Sequence, residues 1–231
     1  MSIERVSTGI IGMDSLLQGG FKKKSVNLVA GGAGTGKTIF SAQFVHEGLK
    51  KGESALYITF EEKKDKFYEE MEEFGWDFKK YENEKKFVFL EYTPEQVKNV
   101  LIEGGGDVEA IVERIKPRRL VIDSVTSFSL LYEDDLTKKE AALALFELIN
   151  KWNCTGVLTS QEVSREGHTV STALEFEVDG IIILYHVKSK GIRHRAIEVL
   201  KVRGTKIPEK TISMDITTKG IIVHPEIVVV F

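Results

Sequence analysis

The sequence predicts an α/β fold, a doubly wound and mostly parallel sheet with antiparallel strands added at its C-terminal edge. Three observations carry this expectation. Apolar runs of strand length alternate with helically spaced segments between residues 26 and 159; from residue 180 onward strand follows strand; and a glycine-rich stretch, Gly31-Gly32-Ala33-Gly34-Thr35-Gly36-Lys37-Thr38, stands between the first strong strand and its helix. Alternation favours parallel strands joined by crossover helices, whereas consecutive strands favour antiparallel pairing.

Taken in order, Val26-Asn27-Leu28-Val29-Ala30 is a short apolar strand, and the helix opening at Ile39 runs to about Lys50 and ends near Gly52. Ser54 to Phe60 reads as a second buried strand. Residues 63 to 74 are helically spaced, with Phe67, Met71 and Phe74 on one face and Lys and Glu opposite. Phe87 to Leu90 is a strand, Glu103 to Asp107 a loop, Val108 to Ile115 a helix closed by Pro117, and Leu120 to Ile122 another strand. Lys138 to Trp152 places Ala141, Leu145, Leu148 and Trp152 on one helical face, and Thr155 to Thr159 is the strand after it. Ile181 to Tyr185, Ala196 to Val202, Thr211 to Ile216 and Ile221 to Val223 are the consecutive strands. The apolar tail Ile227 to Phe231 is a final strand or a subunit contact. With no repeat, low-complexity tract or linker, residues 1–231 are expected to form a single domain.

Composition narrows the function classes. The 231 residues are 42% hydrophobic, enough for a substantial core, and 32 Lys and Arg against 35 Asp and Glu leave a net charge of −3, so no global basic field advertises nucleic acid. A single cysteine, Cys154, excludes an internal disulfide and a cysteine zinc site; just before an apolar run, it reads as a buried, inert thiol. The five histidines lack metal-ligand spacing. No apolar run approaches membrane-spanning length and the N-terminus has no signal-peptide core, so a cytoplasmic chain with no membrane partner is expected.

The glycine-rich stretch matches GxxxxGK[ST] at every position and lies between strand and helix, where that motif binds a nucleotide. Glycines admit positive φ, which turns successive N–H groups inward around phosphate oxygens, and the helix adds its positive dipole end. Residues Gly31 to Ile39 are thus the expected nucleotide cradle, with Lys37 on the β- and γ-phosphates and Thr38 on Mg²⁺. In open α/β sheets ligands sit beyond the carboxyl ends of the strands, so polar residues there become candidates. Leu120-Val121-Ile122-Asp123 has the form of a Walker B strand whose Asp123 holds the hydrated Mg²⁺. Phe60-Glu61-Glu62 brings a carboxylate, Glu61 or Glu62, to orient or deprotonate an attacking water. Gln161, after Ser160, offers a neutral amide to the γ-phosphate. Asn150-Lys151-Trp152-Asn153 lacks the aspartate of a guanine-reading NKxD motif, which favours ATP and ADP over guanine nucleotides.

Together with Val178-Asp179-Gly180-Ile181-Ile182, Leu200-Lys201-Val202-Arg203-Gly204 and the opening Val6-Ser7-Thr8-Gly9-Ile10, these residues resemble the KaiC branch of the RecA superfamily, which includes the archaeal RadA paralogues. The resemblance spans nearly the whole chain and implies a RecA-like P-loop ATPase core. It implies slow ATP hydrolysis with Mg²⁺ at the interfaces of a homo-oligomer, a hexameric ring or a filament, in which Lys201 and Arg203 reach the neighbouring subunit's γ-phosphate. Two roles follow from it: a nucleotide-dependent switch acting on a protein partner, or a recombination accessory that binds single-stranded DNA or a recombinase. The DNA-holding loops of the recombinases correspond to about Ser124 to Thr137 and Ser164 to Ser171. The first is acidic at Glu133-Asp134-Asp135 and the second offers only Arg165 and His168, thin material for neutralising phosphates. The circadian clock member of that family carries two tandem ATPase units, and Glu175-Phe176 stands where its second unit has a phosphate-accepting Ser-Thr pair, which argues against autophosphorylation.

Overall fold

The structure, a computed structural model, describes residues 3–93, 95–96, 106–129, 131–161, 177–189 and 191–230. A small hairpin, β1 (Arg5–Val6) with β2 (Phe21–Lys22), encloses the short helix α1 (Met13–Leu16). The main sheet contains β3 (Val26–Gly31), β4 (Ala55–Thr59), β5 (Phe87–Glu91), β6 (Arg119–Asp123), β7 (Thr155–Ser160) and β8 (Gly180–Ser189), all parallel. The strands β9 (Ile192–Val202), β10 (Ile212–Thr217) and β11 (Gly220–Val228) continue it antiparallel, giving the order β11-β10-β9-β8-β3-β7-β6-β4-β5. This is the expected fold class. The order places β3, from which the glycine-rich loop springs, between β7 and β8, the site of greatest enclosure in the sheet.

Alternation along the buried strands separates two apolar clusters. Val29, Tyr57, Val121 and Val157 face α2 (Lys37–Lys50), α3 (Lys64–Glu72) and α4 (Phe78–Asn83), where they meet Phe40, Phe44, Phe67 and Phe78. Leu28, Leu56, Leu120 and Leu158 face α5 (Gly106–Ile115) and α7 (Asp135–Lys151), where they meet Val108, Val112, Leu145 and Ile149. Covering both faces is what makes the parallel strands read as continuous apolar runs.

Several elements depart from the sequence expectation. The helix expected over 63–74 ends at Glu72; Gly75 takes φ 75°, and α4 starts afresh after Asp77, whose side chain accepts from Lys80 N at 2.8 Å. The segment 124–137, matched to a DNA-holding loop of the recombinases, contains α6 (Val125–Ser129) and the start of α7. The reason is local: Asp134, in the acidic run, is an N-cap that accepts from Thr137 N at 2.9 Å, so α7 starts at Asp135 rather than Lys138. Likewise Gly106 and Asp107, assigned to a loop, open α5. In the apolar tail, Ile227 and Val228 belong to β11.

Arg119, at the start of β6, is 1% exposed. Its Nε donates to Glu53 Oε2 at 2.6 Å and its Nη1 to the carbonyls of Ser7 at 2.8 Å and Phe44 at 2.6 Å, while the guanidinium lies over the Phe44 ring. One buried cation thus ties the sheet to α2 and to the N-terminal segment.

Candidate functional site

The loop after β3 owes its shape to the positions where only glycine fits. Gly36 takes φ 104° and caps α2 with no side-chain hydrogen bond, so the first amides of that helix keep no partner within it and point toward the loop's hollow. At Gly31 a Cβ would stand 2.7 Å from the Leu184 carbonyl oxygen, so β8 can pack against β3 only with glycine there. Thr35, 3% exposed, donates from Oγ1 to Gly32 O at 2.9 Å and closes the turn from within. Lys37 Nζ folds back onto the loop, donating to Gly31 O at 2.8 Å and Gly32 O at 3.0 Å. Burial holds the pKa of this ammonium below its ordinary value, opposed by the charges of Asp123 and Glu61.

Beside the loop, Thr38 Oγ1 donates to Asp123 Oδ2 at 3.0 Å. Asp123, 7% exposed, also accepts from Tyr57 OH at 2.9 Å and from Thr159 Oγ1, so α2, β4, β6 and β7 all converge on one carboxylate. Tyr57 is pushed well above its ordinary pKa, first by burial and then by Asp123, and stays a donor. Among the described residues no group of three or more His, Cys, Asp and Glu side chains could hold a metal ion. A hydroxyl and a buried carboxylate at the phosphate loop instead suit Mg²⁺, which keeps several waters and takes phosphate oxygens alongside one or two protein ligands.

Past the ends of β4, β6 and β7 a second set of polar groups meets. The amides of Glu61 and Glu62 both donate to Thr59 Oγ1, at 3.2 and 3.1 Å, which bends the chain over the sheet. The Glu61 carboxylate accepts from Ser124 Oγ at 3.0 Å, Ser127 Oγ at 2.6 Å and Gln161 Nε2 at 3.3 Å. Gln161 N donates to Thr126 Oγ1 at 2.8 Å. Glu62 lies toward the loop's cleft; burial raises its pKa, against the opposing charge of Lys66. The cleft, about 470 Å³, is lined by Gly34, Lys37, Thr38, Ile39, Glu62 and Arg195, among others. Size alone does not mark the site, because a groove of about 520 Å³ lined by Tyr68, Trp76 and Phe78 lies away from all these groups.

Arg195 was not legible as a site residue. On β9 it stands opposite His186 in the part of the β8–β9 pair that continues past the end of β3; its Nη2 is 3.4 Å from Gly34 O and its buried Nε has no hydrogen-bond partner. Only the register of β9 on β8 and of β8 on β3 reveals it. Ser124 and Ser127 were likewise missed as partners of Glu61, since the segment from 124 to 137 was expected as loop.

Lys201 and Arg203 are not brought to the loop of their own chain. Lys201 pairs with Ile181, level with Leu28, and Arg203 N donates to Asp179 O at 2.8 Å beside the start of β3. Arg203 Nη1 is 3.9 Å from Asp179 Oδ1. Both residues therefore lie near the opposite end of β3 from the loop, roughly 10 to 17 Å away at about 3.3 Å per residue. Arg165, His168, the segment 164–171 and Glu175-Phe176 fall outside the described residues. Cys154 is buried and its thiol is pushed up to about 12. Among the described residues no helix is long and apolar enough to cross a membrane.

Comparison with known proteins places this geometry among relatives. A family model described as a KaiC ATPase matches residues 6–227. A UPF0273 protein of Pyrococcus furiosus is 35% identical, over 97% of this chain and 95% of its own length. The circadian clock protein KaiC3 of Synechocystis is 32% identical over 96% of this chain, which spans 46% of that longer protein. The crystal structure of a KaiC-like protein from the hyperthermophilic archaeon Pyrococcus horikoshii superposes with a TM-score of 0.85 at 33% identity, covering 97% of this chain and all of that one.

Proposed function

Since the chain belongs to the KaiC family of ATPases, we propose that residues 1–231 act as one ATP-binding unit that hydrolyses ATP slowly at the interfaces of a homo-oligomer and switches with its nucleotide state. The observation that carries this reading is the Thr38 hydroxyl held 3.0 Å from buried Asp123 at the head of a complete phosphate loop.

The triphosphate lies over the amides of residues 31–38. Lys37 exchanges its two loop carbonyls for the β- and γ-phosphate oxygens, and Arg195, with its Nε unpaired, adds a cation at the cleft mouth. Thr38 and Asp123 would hold Mg²⁺, which would supply neutralisation of the phosphate charge. A water attacks the γ-phosphorus, the bond to the β–γ bridging oxygen breaks, ADP leaves, and the proton of the water passes to Glu61. Gln161, 3.3 Å from Glu61, lies where an amide can report loss of the γ-phosphate to the chain that follows it. Lys201 and Arg203 supply cations to the next subunit's γ-phosphate, as the resemblance implies; a protein partner reads the resulting state, and the chain works in the cytoplasm. The recombination reading has no observation among the described residues in its favour.

Isothermal titration with ATP and Mg²⁺ tests the reading: micromolar or tighter heat, lost in Lys37→Ala, supports it, and absence of heat in the unaltered chain overturns it.

A further inference from the structure

The two oxygens of Glu61 are not equivalent. Oε1 accepts from Ser124 Oγ at 3.0 Å and from Ser127 Oγ at 2.6 Å, whereas Oε2 has Gln161 Nε2 at 3.3 Å. The same amide is 3.5 Å from Oε1, at the limit of a hydrogen bond. A carboxylate oxygen offers about two lone-pair sites, so two hydroxyl donors occupy Oε1 and leave Oε2 with capacity for a further proton donor. Glu61 is exposed and sits just past the end of β4 on a side chain with three rotatable bonds, and its backbone alone does not fix where the carboxylate points.

Building on the ATPase reading above, we infer that Ser127 is a positioning residue: with Ser124 it fixes the rotation of the Glu61 carboxylate so that Oε2 is the oxygen that takes the proton of the attacking water. Ser127 is suited to this because of the element that carries it. On the same helix α6, Thr126 Oγ1 accepts from Gln161 N at 2.8 Å and lies 3.2 Å from Ser160 Oγ. The proton acceptor and the amide beside it are therefore held by neighbouring residues of one helical turn, and a shift of α6 changes both together. A catalytic group displaced by about 1 Å can lose about a hundredfold in rate, so removing a hydroxyl that orients the carboxylate costs about ten- to a hundredfold.

Steady-state kinetics on the full chain test the role. Ser127→Ala lowers kcat about ten- to a hundredfold and leaves KM for ATP within about twofold, because the residue touches Glu61 and not the nucleotide. Ser127→Thr, which keeps the hydroxyl, restores most of the rate. In a Glu61→Gln background, adding Ser127→Ala changes kcat by less than about twofold, because a residue acting through Glu61 has nothing left to position. Unaltered kcat in Ser127→Ala, an equal loss in Ser127→Thr, or a full multiplicative loss in the Glu61→Gln background each overturns the role. An unaltered chain that binds ATP but never turns it over overturns the hydrolysis reading itself, an outcome distinct from a fast Ser127→Ala variant.

Discussion

Lys37 is tied down before any phosphate arrives, by two carbonyls of the loop it serves, and burial lowers its pKa. An ammonium so placed is desolvated in advance and gains most from an anion. Lys37→Ala is expected to weaken ATP binding at least about a hundredfold by calorimetry, the loss of a charge-assisted contact of roughly 3 kcal/mol. Glu61→Gln keeps the shape but not the basicity, so binding stays within a fewfold and kcat falls by about 10² or more in a phosphate-release assay. His46 supplies a residue-scale test of stability. Stacked on Trp76 at 5.4 Å, it is lowered to about 4, first by burial and then by Lys50, against the opposing Glu47. The unfolded chain takes up a proton below about pH 6.5 while the folded chain waits until about pH 4, so the contribution is whole above the first value and is lost as pH falls toward the second. Thermal melting should therefore drop more steeply over that window than it does in His46→Phe. Lys37, Thr38, Asp123, Glu61 and Gln161 were all legible in the sequence, because each sits in a motif or at a strand end defined by its immediate neighbours. Arg195 and Ser127 were not: one depends on strand register, the other on a helix where loop was expected.

Long apolar runs and helically spaced apolar residues gave away the large elements, β3 to β8 and α2, α5 and α7, whereas short ones escaped. Helices α4 and α6, of six and five residues, are too short for their spacing to stand out and owe their existence to tertiary contacts and to caps such as Asp77. Gly31 and Arg119 show how the elements are locked. With Leu184 O only 2.7 Å from where a Cβ would stand, Gly31→Ala must part β3 from β8 at the mouth of the loop, and it is expected to cost about 1–3 kcal/mol and to weaken nucleotide binding together with stability. Arg119→Ala leaves Glu53 and two carbonyls without their donor and opens a void beside Phe44. A loss of about 3 kcal/mol, or roughly 6–12 °C in Tm, follows from breaking a largely buried pair in a chain of this size, and scanning calorimetry measures it.

For the whole molecule the decisive geometry is the separation between the loop at one end of β3 and Lys201 and Arg203 near the other. One chain cannot bring both to one phosphate, and stabilising charge on a transferring phosphoryl group is worth about 10³–10⁵ in kcat when an arginine supplies it. If the neighbour provides that cation, turnover per chain rises with protein concentration, and Arg203→Ala loses kcat while it still binds ATP. A mixing experiment separates this from a defect confined to one chain. Lys37→Ala carries a broken loop and an intact Arg203; Arg203→Ala carries an intact loop and no arginine. Each variant alone is expected to be nearly inactive. Mixed and allowed to exchange subunits, they create interfaces at which an intact loop of one chain faces an intact Arg203 of the other. Activity per chain should then recover to about a quarter of the unaltered value at equal proportions, because that pairing arises at one interface in four under random assembly. A mixture no more active than its components would place the function of Arg203 within its own subunit, where its 3.9 Å approach to Asp179, beside the start of β3, gives it a structural role.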